Sequence, residues 1–134
     1  MIGPQVCVGA VAVDADHLLM IRRGHGPAAG SWSVPGGRVD AGETLAEAVV
    51  REVREETSLE AVCDTLLGWT EHISDEHHLV ILDFRTSVLD PGPPVAGSDA
   101  AEAAWVPLAD VTDLRLVNGL AEFLHEHGIV SVIA

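Results

Sequence analysis

Branched apolar residues fill Val6 to Val13 and Leu18 to Arg22, with the turn formers Asp14 to His17 between them, a pattern that predicts two strands joined by a turn. A loop of turn residues follows from Gly24 to Gly30, leading into Trp32 to Pro35. Thr44 stands three residues before Glu47, the spacing of a capping box, and helix formers continue to Thr57. Two longer extended segments, Glu60 to His72 and His78 to Val88, are parted by the acidic run Ser74 to Glu76. Asp90 to Gly97 is dense in proline and glycine and reads as a loop, and Ala104 to Val106 reads as a short strand. Leu120, Phe123, Leu124 and His127 recur at one-face helical spacing, with Asn118 as the expected cap and Gly128 as the stop. Strands before, between and after two helices predict an α/β fold, a mixed sheet with helices packed on it, in a single domain spanning 1–134.

The helix that starts at Thr44 carries the most informative departure from this pattern. At about 100° per residue from Leu45, Ala48 and Val49 define the side that packs on the core. Glu52 falls at about −20° and Glu56 at about +20°, on that same side. Glutamates placed for solubility lie opposite the apolar stripe, as Glu47 and Arg54 do. Glu55 is offset, yet within reach of Glu52 at three residues' spacing. Two carboxylates about 5 Å apart repel by roughly 3 kcal/mol at an effective dielectric near 20. A divalent cation, which takes oxygen ligands, turns that repulsion into binding, so the cluster points to a metal site. Before the helix, Gly36, Gly37 and Gly42 let the backbone turn tightly and approach a phosphate or an ion. A Gly-Gly pair alone is usually just a turn, but Glu43 and Arg51, eight residues apart, can pair across loop and helix and brace the unit.

Charge narrows the partners. The formal net charge is −14, with arginine as the only strong base, which argues against a surface that neutralises polymeric nucleic acid. A polyanionic ligand would need local arginines or a bound cation. Acidity that merely keeps the protein soluble explains the total and not the arrangement. No apolar run reaches the ~18–20 residues of a membrane span. Met1 to Val13 lacks a basic n-region and a small-residue cleavage site, so a cytoplasmic location is expected. Cys7 and Cys63 sit singly in apolar segments and read as reduced, buried thiols.

The run Gly36-Gly37-Arg38-Val39-Asp40-Ala41-Gly42-Glu43, continued by Arg51-Glu52-Val53-Arg54-Glu55-Glu56, resembles the box of the Nudix hydrolases, G-x5-E-x7-R-E-U-x-E-E-x-G-U, where U is a bulky aliphatic residue. Gly37, Glu43, Arg51, Glu52, Val53, Glu55, Glu56 and Leu59 match, so the box spans 37–59. Ser58 stands where the family has a glycine that ends the helix in a left-handed conformation, a difference worth about 1 kcal/mol or less. Arg22-Arg23, the approach WSVPGG and the segment Glu102 to Val106 also look like family surroundings.

The resemblance implies the Nudix α/β/α sandwich with a mixed β-sheet, and attack of water on a phosphorus of a nucleoside diphosphate linked to some group X, or of a nucleoside triphosphate. It implies Mg²⁺, with Mn²⁺ as a substitute, held by Glu52, Glu55, Glu56 and the carbonyl of Gly36, while Glu43 and Arg51 brace the loop. The general base is either a box glutamate or an acid on a separate loop. Glu102 is the first external candidate, and its alternative is a solvated loop acid. Of Arg22 and Arg23, which point to opposite faces, one is expected to reach phosphate. Trp69 or Trp32 would stack on a base or else pack the core or rim. His77 and His78 alternate in a strand, and the segment HLVILDF resembles the ADP-ribose-type and related subgroup, although packing or a surface contact is the expected use of either histidine. Related proteins occur as monomers and homodimers, and the partner expected is a small nucleotide. A non-catalytic Nudix-fold nucleotide sensor is the competing reading, although such modules usually lose box acids that are present here.

Overall fold

In the computed structural model, which describes residues 3–26 and 28–131, the first apolar run divides into two strands, β1 (Gln5–Val11) and β2 (Val13–Asp14). Pro27, inside the expected loop, and the extreme ends of the chain lie outside the described residues. The break at Ala12 is where the chain passes from one sheet to another. β2 turns back into β3 (His17–Arg23) through Ala15 and Asp16, whose φ angles of 47° and 61° are both left-handed. A two-residue hairpin with that backbone matches the right-handed twist of its strands.

One mixed sheet has the order β5-β1-β7-β6, formed by β5 (Gly36–Arg38), β6 (Ala61–Ile73) and β7 (His78–Val88) around β1. Its β1–β7 pairing is parallel and the others antiparallel. A second, antiparallel sheet joins β2, β3 and β4 (Trp32–Ser33), with β8 (Ala100–Pro107) on the other side of β3. The mixed sheet expected from the pattern is thus present, and a second, antiparallel sheet lies beside it. β5 was not foreseen because glycine counts against strand formation. The glycine is required there, since a Cβ at Gly36 would overlap the Val8 carbonyl oxygen of β1. β8 outruns the expected Ala104 to Val106, because its ladder with β3 overrides the weak strand preference of its alanines.

The helix α1 (Leu45–Thr57) begins with the expected capping box: Thr44 Oγ1 accepts from Glu47 N–H at 3.1 Å, and Glu47 Oε1 accepts from Thr44 N–H at 2.9 Å. It ends at Ser58 with a left-handed φ of 64°. The proline- and glycine-rich segment then supplies donors for the last free carbonyls, Val95 N–H to Thr57 O at 2.9 Å and Gly97 N–H to Glu56 O at 3.3 Å. Ser58 Oγ donates to Val95 O at 3.0 Å and Trp105 Nε1 to Gly92 O at 2.9 Å, pinning the same segment. The last helix, α2 (Leu120–Glu126), is capped by Gly119 with φ 85° and no side-chain bond, and Asn118 is not its cap. A 3-10 helix, Leu108–Asp113, precedes it and was not foreseen.

Alternation along β3 feeds two cores. Leu19 joins Val8, Ala10 and Ala12 against Ala48, Val49 and Val53 of α1. Leu18 and Met20 face the other way, with Val106, Val111, Phe123 and Leu124. The layers are therefore α1, the strands, and the 3-10 helix with α2. Among the described residues, no helix is long and apolar enough to cross a membrane.

Candidate functional site

The glycine strand β5 stands between the carboxylates of α1 and an open cleft of about 700 Å³ on the opposite face of the mixed sheet. On the α1 side the missing side chains are used at once. Glu56 Oε1 accepts from Gly36 N–H at 2.7 Å, and a Cβ at Gly37 would stand only 2.6 Å from Glu52 Oε1. Both acids lie on the inward side of the helix, as the helical spacing predicts. Glu56 is 8% exposed. Burial pushes its carboxyl up to about 8, against the Gly36 amide, with Glu52 adding to the rise and Arg23 opposing it. Burial also raises Glu52, and Arg51 opposes the rise.

Arg51 is the hub of the box. Its Nε donates to Glu43 Oε2 at 2.7 Å and its Nη2 to Glu43 Oε1 at 2.9 Å, a bidentate pair. Nη1 reaches Glu52 at 2.8 Å and Glu55 at 3.3 Å, and Nη2 also donates to the Arg38 carbonyl at 2.9 Å. Glu43 also accepts from the Asp40 amide, and the Arg51 guanidinium holds it down at about 2. The pairing of Glu43 with Arg51 anticipated from their spacing is therefore present, and it ties the loop to the helix.

Glu52, Glu55 and Glu56 share one helix but do not converge. Among the described residues no three acidic, histidine or cysteine side chains are arranged to hold an ion as they stand. The chemistry of the set still suits one: hard oxygen donors on successive turns, two of them raised by burial, opposed nearby by two arginines, Arg51 and Arg23, and one amide. A divalent cation would relieve that imbalance. Glu55, with nearly half its side chain exposed, is free to turn toward it.

Other expected residues separate. Arg22 and Glu102 face each other across β3 and β8, with Nε to Oε1 at 3.0 Å, on the side of Met20 and Ala104 that points away from α1. Arg23 points the other way, lines the cleft beside Gly36 and Arg38, and is close enough to Glu56 to oppose its rise. Trp69 is 61% exposed and borders a shallow depression against α2, outside the cleft. Trp32 packs at the edge of the second core, and His78 Nε2 meets Glu71 Oε2 at 2.8 Å. His77 lines the cleft, as do Arg38 and Asp83, neither of which the sequence pattern marked as a ligand contact. Arg38 was visible only as a variable box position. Asp83 was visible only as one polar residue interrupting an apolar strand.

The family model described as NUDIX domain matches residues 3–127. The chain is 36% identical over 113 residues to a Methanocaldococcus jannaschii protein named ADP-ribose pyrophosphatase, covering 83% of this chain and 66% of that one. It is 34% identical over 114 residues to the human 8-oxo-dGDP phosphatase NUDT18, covering 82% of this chain and 35% of the human protein. It thus spans just under two thirds of the first relative and about a third of the second. Among solved structures, the MutT protein of Methanosarcina mazei superposes with a TM-score of 0.81 at 25% identity, over 93% of both chains.

Proposed function

Because the chain belongs to the Nudix family, we propose that it is a divalent-metal-dependent pyrophosphohydrolase acting on nucleoside diphosphate derivatives or nucleoside triphosphates. The observation that carries this reading is the pair of inward box carboxylates, the buried Glu56 and the half-buried Glu52, held against the side-chain-free strand Gly36–Gly37 that borders the cleft. Glu52, Glu55, Glu56 and the Gly36 carbonyl would hold Mg²⁺, or Mn²⁺ in its place. Such an ion, when bound, supplies Lewis-acid neutralisation of the phosphates and lowers the cost of forming the attacking nucleophile.

The remaining roles belong to the chain. Arg51 holds Glu52 and Glu55 in register with the loop through its bonds to Glu43 and the Arg38 carbonyl. Arg23 and Arg38 stand where the cleft meets β5 and draw the phosphates to that end. Arg22, committed to Glu102, orders the start of β8 instead. For the base, Glu55 is favoured over Glu102. It shares a helix with the other acids, while Glu102 is occupied by Arg22 on the face turned from α1. Trp69 would meet only a substrate group that extends past the cleft toward α2. The named relatives support ADP-ribose and oxidised purine nucleotides as the first compounds to try.

The test is phosphorus NMR of ADP-ribose and 8-oxo-dGDP incubated with the protein. Millimolar Mg²⁺ should give cleavage, excess EDTA should stop it, and Glu56→Gln should lower kcat by ~10²-fold or more, the scale of losing several kcal/mol of transition-state stabilisation. Undiminished cleavage in EDTA, or by the variant, would overturn the proposal.

A further inference from the structure

Asp83 stands in the middle of β7 where both neighbouring strands carry glycine in register, Gly9 of β1 and Gly68 of β6. Ladder partners point their side chains to the same face, so the two groups that would flank Asp83 are missing. A Cβ at Gly9 would collide with Asp83 Oδ1. A Cβ at Gly68 would stand 2.7 Å from His127 Nε2, whose ring lies 4.4 Å from that of Phe123, a residue that lines the cleft. By alternation along β7, Asp83 shares its face with Leu79 and Ile81, which line the cleft with it.

Asp83 as a whole is 8% exposed, and its carboxylate has no hydrogen bond or ion pair to any described residue. Its oxygens nonetheless reach the cleft. Among the described residues only Gln5 Oε1 is a fully covered side-chain polar atom lacking a partner. Burying a carboxylate without hydrogen-bond partners opposes folding, and only nearby His127 works against that cost here. Such violations of core chemistry are expected where a ligand supplies what the protein withholds.

The chemistry narrows that ligand. An ionised carboxylate only accepts hydrogen bonds, so the group facing it is a donor. Phosphate is excluded by like charge and is drawn to Arg23 and Arg38 at the β5 end. The walls near Asp83 include Val34, Leu79, Ile81, Leu120 and Phe123, which suit a flat heteroaromatic ring better than a polyhydroxylated sugar. We propose that Asp83 is a specificity-determining residue that accepts a hydrogen bond from an N–H of the nucleobase, favouring bases with an amino group on that edge over isosteres without it. The inference rests on the cleft being the nucleotide site and is independent of hydrolysis.

Calorimetric binding of matched pairs tests it: GDP against IDP, and ADP against purine riboside 5′-diphosphate, with wild type, Asp83→Ala and Asp83→Asn. Wild type should prefer the amino member of at least one pair by ~10-fold or more, the scale of a hydrogen bond to a charged group. Asp83→Ala should bring that ratio near unity while barely changing affinity for the member without the amine. Asp83→Asn, whose amide oxygen still accepts, should fall between. Both variants should melt no lower than wild type, opposite to what a structural carboxylate would show. No preference in wild type, an unchanged ratio in Asp83→Ala, or equal weakening of both members would overturn the proposal. Because binding is the readout, absence of hydrolysis with Mg²⁺ would count against the enzymatic reading alone.

Discussion

Glu43 and Asp83 are carboxylates set on opposite sides of the same strand pair, β5 and β1, and the protein treats them in opposite ways. Glu43 takes two N–H donors from Arg51 and one from the Asp40 backbone, and its carboxyl is held at about 2. Asp83 has no such partners, and burial pushes it up to about 6, with only His127 opposing. Glu56 belongs with Asp83: a single amide serves it, and it rises to about 8. Charges compensated from within, Glu43 and Arg51, frame the loop–helix unit. Charges left short of partners, Glu56 on one face and Asp83 on the other, mark where a cation and a base edge would complete the structure.

Removing the hub should break the framed side most severely. Arg51→Ala leaves Glu43 and Glu52 without their counter-charge and frees the Arg38 carbonyl. It should lower unfolding stability in urea by about 3 kcal/mol, the lower end for stripping one partner from a buried pair, because Arg51 is partly exposed. A loss below about 1 kcal/mol would reduce the brace to an ordinary surface ion pair.

The opposite sign is expected at Asp83. Its folded pKa lies above the unfolded value of 3.8, so its contribution to stability is fully present below pH 3.8 and is lost as pH rises through about 6. Asp83→Asn removes that loss. The variant should match wild type in strong acid and exceed it by about 3 kcal/mol above pH 6, as read from metal-free urea unfolding across pH. Glu43 runs the other way, its contribution present above the unfolded value of 4.5 and lost as pH falls through about 2. Parallel pH profiles for wild type and Asp83→Asn would show that Asp83 is not strained by burial.

The smallest change is expected at Ser58. Glycine there relieves a left-handed φ of 64° but forfeits the hydroxyl's bond to Val95, and each effect is worth about 1 kcal/mol. Ser58→Gly should therefore shift unfolding stability by no more than about 0.5 kcal/mol.

The framed side was legible in the sequence because its partners are close along the chain. Thr44 with Glu47 fixed the helix start, the eight-residue spacing of Glu43 and Arg51 allowed their pairing, and the helical period turned Glu52 and Glu56 inward. The ligand side was not legible, because its meaning depends on register between distant strands. Gly9 and Gly68 say nothing about Asp83 until β1, β7 and β6 are aligned. Arg22 with Glu102 likewise becomes a pair only through the β3–β8 ladder, and Trp69 needed the position of α2 to be placed outside the cleft. β5 hid behind its glycines, whose use is close approach to β1 rather than strand propensity.

The central claim, that the under-partnered box carboxylates await a cation, is tested most directly by titrating Mn²⁺ into the protein and following free Mn²⁺ by electron paramagnetic resonance. Wild type should bind the ion, and Glu56→Gln, with its fold intact by circular dichroism, should bind it at least ~10-fold more weakly, as loss of one charged oxygen ligand requires. Equal binding by both proteins, or none by wild type, would contradict the account.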